Sequence, residues 1–197
     1  YGYTLEDKEN KQVSVLKGSL PSFNKNGNSF VVQGTEFNLG LIGRFNIYNS
    51  LAAIAVAASE GIDLKRCRQA LERIKEMPGR MEVVVSKPFS VVVDYAHTPA
   101  ALEKVYKSLK NKGRMICVLG SCGGGRDKWK RPVLGEIASK YCDRIILTNE
   151  DPYDEDPQKI ISEVRAGVSK KDCVEILDRR EAIKKALSLA KPEDSVI

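Results

Sequence analysis

A chain of 197 residues is long enough for one large domain or two small ones, and a hydrophobic content of 42% fills a core, which excludes a disordered chain. The net charge of +6 is scattered while the acids gather at 150–156, so the excess reads as solvated helix faces or as the complement of a small anionic ligand, and not as a nucleic-acid-binding stripe. No stretch approaches the roughly 20 apolar residues of a membrane span.

The chain opens on Tyr1-Gly2-Tyr3, without an initiating Met or a signal peptide, and reads as cut from a longer protein. Its last residues, Asp194 to Ile197, read as the start of a strand that is cut short. The first 40 residues are expected to form short strands and turns, an antiparallel patch at the edge of a larger sheet. Val13-Ser14-Val15 alternates, Asn26-Gly27 favours a hairpin, and strands are expected at 29–32 and 35–39 on either side of Gln33-Gly34. Gly43 to Asn49 opens a helix that runs to Ser59, with Gly61 as its stop. Asp63 caps a second helix, whose Leu64, Cys67, Ala70, Leu71 and Ile74 have helical spacing and which Pro78-Gly79 ends. A domain boundary is expected near Pro78.

From there strands and helices alternate. Val83-Val84-Val85 is strand-like. Strands are expected at 90–94, 114–119, 144–148 and 173–177, and helices at 99–111, 132–141, 157–168 and 179–190. Thr98 caps the first of these helices and Pro99 takes its favoured first position. The apolar runs Val91-Val92-Val93 and Ile145-Ile146-Leu147 lack alternation, as in strands covered on both faces. The fold class is α/β, with a mostly parallel, Rossmann-like sheet and right-handed crossovers.

Ligands of such sheets bind at the carboxyl ends of the strands. Three of those ends carry chemistry. The first gives Asp94-Tyr95-Ala96-His97, a carboxylate that can accept ribose hydrogen bonds beside the only histidine of the chain. With no second histidine, a multi-His metal site is excluded, while carboxylate-bound Mg2+ is not. The second end gives Gly123-Gly124-Gly125, followed by Arg126, Asp127, Lys128, Lys130 and Arg131. The glycines alone read equally as a turn; with the charges they read as an anion site. The third gives Glu150-Asp151-Pro152-Tyr153, either a solvated acidic loop or the partner of a cation, with Asp156 capping the helix that Pro157 opens. The five cysteines include no Cys-x-x-Cys pair and their number is odd, so reduced thiols in a cytoplasmic protein are expected. Cys122, in the glycine loop, is expected to be an ordinary thiol like the rest, since only its exposure there and Arg126 nearby favour a thiolate.

Taken together, five segments in order resemble the Mur ligase family. Gly43 to Asn49 resembles its G-x-F-N-V-x-N helix start, and Gly79-Arg80-Met81-Glu82 its G-R-M-E hinge. Asp94 to Pro99 matches D-Y-A-H-T-P, Gly123 to Pro132 resembles G-G-D-R-D-K-G-K-R-P, and Asn149 to Pro157 takes the place of D-N-P-R…D-P. The resemblance covers essentially the whole chain. It implies an ATP-dependent amide ligation through an acyl-phosphate, in the branch that adds an amino acid to UDP-N-acetylmuramoyl-dipeptide in peptidoglycan synthesis. Residues 1–78 would be the tail of the central ATP-binding domain and 79–197 the C-terminal domain lacking its last strand.

By this resemblance Asn49 would contact adenine, Arg80 and Asp94 would hold ribose and phosphates, and Tyr95 and His97 would lie beside them. Arg126 would grip the carboxylate of the incoming amino acid, and Glu150, Asp151, Pro152 and Tyr153 would read its side chain. No catalytic residue is assigned within the chain. The phosphate-binding loop and the ligands of Mg2+ would lie outside it. Two departures stand out: Gly125 replaces an Asp, and Glu150 to Tyr153 replaces Asp-Asn-Pro-Arg. The family's Arg pairs with the distal carboxylate of meso-diaminopimelate. Tyr153 cannot, so lysine or ornithine is expected in its place. Other readings are a folylpolyglutamate or cyanophycin synthetase of the same superfamily, and a nucleotide-binding module without catalysis.

Overall fold

In a computed structural model, residues 2–5, 15–24, 27–109, 113–169 and 172–197 are described. The chain divides into two compact units, Tyr1–Met81 and Glu82–Ile197.

The first unit holds four strands, β1 (Gly2–Thr4), β2 (Val15–Asn24), β3 (Gly27–Val32) and β4 (Thr35–Leu39), and two helices, α1 (Arg44–Ser59) and α2 (Leu64–Glu72). The strands form one sheet in chain order, β1 parallel to β2 and the rest antiparallel. Alternation decides its buried face. Phe30, Val32, Phe37 and Leu39 point inward and meet Ile47, Leu51 and Ile54 of α1. Phe30 and Phe37 lie opposite each other in the register and stack at 5.1 Å. Gln33 and Gly34 both take positive φ, the twist that a two-residue hairpin requires.

Two expectations change here. The patch is a four-stranded sheet with a core of its own among the described residues, and it is mixed, not purely antiparallel, since β1 runs parallel to β2. Val13, Ser14 and Asn26 lie outside the described residues. The second helix ends at Glu72, well before Pro78, because the chain must leave it to pass over β4: the Ile74 carbonyl packs against Gly40, where a Cβ would lie only 3.1 Å away.

The second unit carries β5 (Glu82–Val85), β6 (Ser90–Val93), α3 (Pro99–Ser108), β7 (Met115–Leu119), α4 (Lys130–Tyr141), β8 (Arg144–Leu147), α5 (Pro157–Arg165), β9 (Asp172–Glu175), α6 (Arg179–Leu189) and β10 (Ser195–Val196). Its sheet runs β5-β6-β10-β7-β8-β9, parallel throughout except for β5. The fold is α/β with a mostly parallel sheet. The last strand in sequence is inserted between β6 and β7, where Asp194 anchors it: its carboxylate accepts from Arg114 N and Lys191 N and pairs with the Arg114 guanidinium at 2.6 Å.

Both faces of β7 and β8 are covered, which explains their unbroken apolar runs. Ile116 and Ile146 pack on Ala182 and Ala186 of α6. Gly135 of α4 lies against the Val164 carbonyl of α5, and Gly167, just past α5, against the Pro132 carbonyl of α4, so the two helices approach more closely than any side chain would allow. Thr98, Asp156 and Asp178 accept from backbone N–H groups at the starts of α3, α5 and α6. No side chain caps α4, whose first residues are two earlier than the spacing suggests.

Candidate functional site

The carboxyl ends of β6, β7 and β8 lie along one edge of the second unit. After β6, the half-exposed Asp94 turns the chain: its Oδ1 accepts from Ala96 N at 2.7 Å. His97 Nδ1 lies 3.1 Å from the Tyr95 carbonyl, and the two rings meet edge to face at 5.0 Å. A carbonyl only accepts, so this hydrogen bond holds the proton on Nδ1 and leaves Nε2 of the neutral ring as an acceptor.

After β7, the glycine loop is fitted to the loop after β8. Gly123 N donates to Asp151 O at 3.0 Å, and a Cβ at Gly123 would run into the Pro152 carbonyl. Gly124, at φ +70, faces the Tyr153 ring, and Gly125, at φ +72, opens into free space. Asp151 and Tyr153 themselves adopt positive φ, at 35 and 53, strain of the kind that the surroundings must hold in place.

The run of charges after the glycines does two different things. Arg131 is fully buried. It forks onto Glu155 with two bonds of 3.1 Å, reaches Glu163 at 2.6 Å and donates to the Cys122 carbonyl at 3.1 Å. Lys128 also binds Glu155, at 2.9 Å. The hydrogen bonds from Arg131 and then Lys128 pull the Glu155 carboxyl down to about 2. Expected as parts of an anion site, Lys128 and Arg131 are instead an internal clamp joining the two loops to α5.

Cys122 stays an ordinary thiol. Burial and then the carboxylates of Glu150 and Asp151 push its thiol up, against the opposing pull of Arg126 and Lys130. Its Sγ sits 3.8 Å from Glu150 Oε1. The pull of Arg126 towards a thiolate is outweighed by burial first and then by the acids of the neighbouring loop.

A cleft of about 490 Å³ opens beside this loop, lined by His97, Thr98, Pro99, Ala100, Gly125, Arg126, Asp127, Trp129 and Lys130. It brings His97 and Arg126 together. Glu150, Asp151, Pro152 and Tyr153 do not line it; they pack behind the glycine loop, with Arg179 Nη1 donating to Asn149 O at 3.2 Å. Asn49 and Arg80 belong to the first unit. There Asn49 is exposed and donates to Asn46 Oδ1 at 3.2 Å, and Arg80 is exposed after the turn in which its N–H donates to Met77 O.

Trp129 and the start of α3 were not legible as parts of a site. Only the exposure of Trp129, 65%, marks it out. Buried polar atoms without a partner gather on the same edge: Ser121 Oγ, Arg131 Nε and Asn149 Oδ1. Such atoms are uncommon in folded proteins and call for a ligand or water. Among the described residues, no group of three or more His, Cys, Asp or Glu could hold a metal ion, and no helix is long and apolar enough to cross a membrane.

Residues 79–197 match the model of a known family, "Mur ligase, glutamate ligase domain". The chain belongs to the Mur ligase family. The UDP-N-acetylmuramoyl-L-alanyl-D-glutamate–2,6-diaminopimelate ligase of Aquifex aeolicus is 49% identical over 164 residues, 82% of this chain and 34% of that protein. The UDP-N-acetylmuramyl-tripeptide synthetase of Roseiflexus sp. is 47% identical over 171 residues, 82% of this chain and 33% of that protein. A solved UDP-N-acetylmuramoyl-L-alanyl-D-glutamate–2,6-diaminopimelate ligase superposes with a TM-score of 0.59 at 33% identity, covering 94% of this chain and 42% of that one. The chain spans between 33% and 41% of the length of the curated Mur ligases it is compared with.

Lysine or ornithine, expected from Tyr153, gains no support from these Mur ligases, two of which are named for diaminopimelate. The expectation rests on one missing guanidinium, whereas the fold brings another, Arg179, to the same loop.

Proposed function

We propose that this chain is the C-terminal part of a cytoplasmic, ATP-dependent ligase that adds a diamino acid to UDP-N-acetylmuramoyl-dipeptide in peptidoglycan synthesis. The observation that carries the reading is the meeting of His97, at the end of β6, with Arg126, after β7, on one cleft of a Mur ligase. Residues 1–78 then end the central ATP-binding domain and 79–197 form the C-terminal domain.

The reaction has two steps. An oxygen of the dipeptide carboxylate attacks the γ-phosphorus of ATP, and ADP leaves. The amino group of the incoming residue then attacks the acyl carbon, loses its proton and expels phosphate. Mg2+ would supply charge neutralisation at the phosphates, with ligands expected outside this chain. What remains for the residues here is to orient reactants, the usual burden of phosphoryl transfer.

Asn49 meets adenine. Arg80 and Asp94 hold phosphates and ribose, the Asp94 carboxylate being kept at the strand end by its bond from Ala96 N. Tyr95 and His97 flank them. Arg126 forks onto the carboxylate of the incoming amino acid. Glu150, Asp151, Pro152 and Tyr153 face its distal end, where the acids suit an ammonium and Arg179 suits a second carboxylate. The names of the relatives favour diaminopimelate for that residue.

The test is phosphate release by the intact protein, given ATP and UDP-N-acetylmuramoyl-dipeptide with meso-diaminopimelate, lysine or ornithine in turn. Turnover that depends on diaminopimelate is the expected result. Turnover with none of the three would overturn the ligase reading; a preference for lysine or ornithine would overturn only the choice of amino acid.

A further inference from the structure

We propose that Lys130 is a ligand of an oxyanion in this cleft, acting together with Arg126 and the open end of α4. Lys130 is only 6% exposed, yet it lines the cleft. Among the described residues it has no ion pair or hydrogen bond through its side chain, although Lys128 and Arg131 nearby are both paired with carboxylates. Its stem is buried while its ammonium opens on the cleft, where no carboxylate of the described residues pairs with it, so a counter-charge can be taken from outside.

The surroundings agree. Lys130 is the first residue of α4, a twelve-residue helix that no side chain caps, so the positive end of the helix dipole adds to the ammonium. Arg126 offers a fork in the same wall, and the first turn of α3, from Pro99, closes the other side. Asp127 is the one carboxylate in the lining; it is exposed, and two cations outnumber it. Trp129 adds an apolar surface to the lining.

The geometry stands without the ligase reading, which serves only to name the arriving oxyanions: the carboxylate of the incoming amino acid, or the transferred phosphate. Both have oxygens that accept from an ammonium.

Trp129 is the only tryptophan of the chain, so its emission reports on this cleft directly. The 197-residue chain is titrated with inorganic phosphate, meso-diaminopimelate, lysine and acetate. We expect a saturable change with phosphate or with the amino acids. Lys130→Gln weakens it roughly 10- to 100-fold, the range for a hydrogen bond to a charged group. Lys130→Arg retains most of it, and Lys185→Gln, the same charge loss on exposed α6, leaves it unchanged. A response to phosphate alone assigns the transferred phosphate, and one to the amino acids and acetate assigns the carboxylate. Circular dichroism checks that each variant is folded, and Lys130→Arg carries the test if Lys130→Gln is not.

No response to any of these anions, or Lys130→Gln binding as tightly as the native chain, overturns the proposal. Its failure is separable from that of the ligase reading. An intact protein that turns over while Lys130→Gln keeps the native KM for both ATP and the amino acid refutes the Lys130 site alone. Binding through Lys130 without turnover in the intact protein refutes the ligase alone.

Discussion

Arg131 offers the sharpest test of how this site is held together. Replacing it with Met keeps most of the side-chain volume and removes the charge. Glu155 and Glu163 are then left facing a buried apolar group, and the Cys122 carbonyl loses its donor. Removing one partner from a buried ion pair typically costs 3–5 kcal/mol. Lys128 remains on Glu155, and the Glu163 side chain is 31% exposed, so the low end applies. About 3 kcal/mol, at about 4 °C per kcal/mol for a unit of this size, lowers Tm by about 12 °C.

Thermal unfolding followed by circular dichroism measures this. The pH dependence adds a second check. The Glu155 carboxyl is held at about 2 in the fold against an ordinary 4.5, so its contribution is present above 4.5 and is lost as pH falls towards 2. The gap between the native chain and Arg131→Met should therefore be constant above pH 5 and shrink in that acid window. Converting Glu155 and Glu163 to Gln in the Met background should recover part of the loss, since no unpaired charge then remains. A variant as stable as the native chain at neutral pH would refute the clamp.

Gly123→Ala should cost more than Gly125→Ala, because a Cβ at 123 meets the Pro152 carbonyl whereas 125 has only its positive φ to answer for, about 1–2 kcal/mol; urea unfolding ranks the two, and the reverse order would contradict the packing. Asp194→Asn should cost about 2 kcal/mol and speed hydrogen exchange at Val118, whose N–H donates to Ile197 O beside β10. Desolvation raises the Asp194 carboxyl, but its bonds from Arg114 and Lys191 prevail and hold it below its ordinary value, so the contribution of Asp194 should fade as pH falls through the carboxylate range. Tyr153→Arg should lower the KM for meso-diaminopimelate in the intact protein while sparing that for lysine, as steady-state kinetics would show; equal effects on both would remove this loop from side-chain selection.

Much of the second unit was legible because its signals are local. Unbroken apolar runs gave β6 and β8, and Thr98 and Asp156 gave the starts of two helices. The strand ends after β6, β7 and β8 drew notice for the same reason. What could not be read is set by partners distant in sequence. Glu72 ends α2 because β4 lies beneath the chain that follows. Arg131 looks identical to Arg126 until α5 presents Glu163. Burial first, and then carboxylates 28 and 29 positions on, raise the thiol of Cys122, and the loop of Tyr153 receives Arg179 from α6, a partner that its own residues do not announce.

The stretch from Arg126 to Arg131 shows why a run of like charges has no single meaning. Two of its cations, Lys128 and Arg131, turn inward onto Glu155 and Glu163, which fixes the loop against α5. That fixing leaves Arg126 and Lys130 at the cleft, aimed before any ligand arrives. An anion bound there need not pay for ordering the loop, since the internal pairs have already done so. Loosening the clamp should therefore weaken anion binding even though Arg131 touches no ligand. Arg131→Met, compared with Lys130→Gln in the Trp129 titration at a temperature where both are folded, separates the two effects. The Lys130 variant loses affinity by the same factor at low and high temperature, whereas the loss in the Arg131 variant grows as the loop frees itself on warming. Parallel behaviour of the two would mean that the inward pairs stabilise the fold without organising the site.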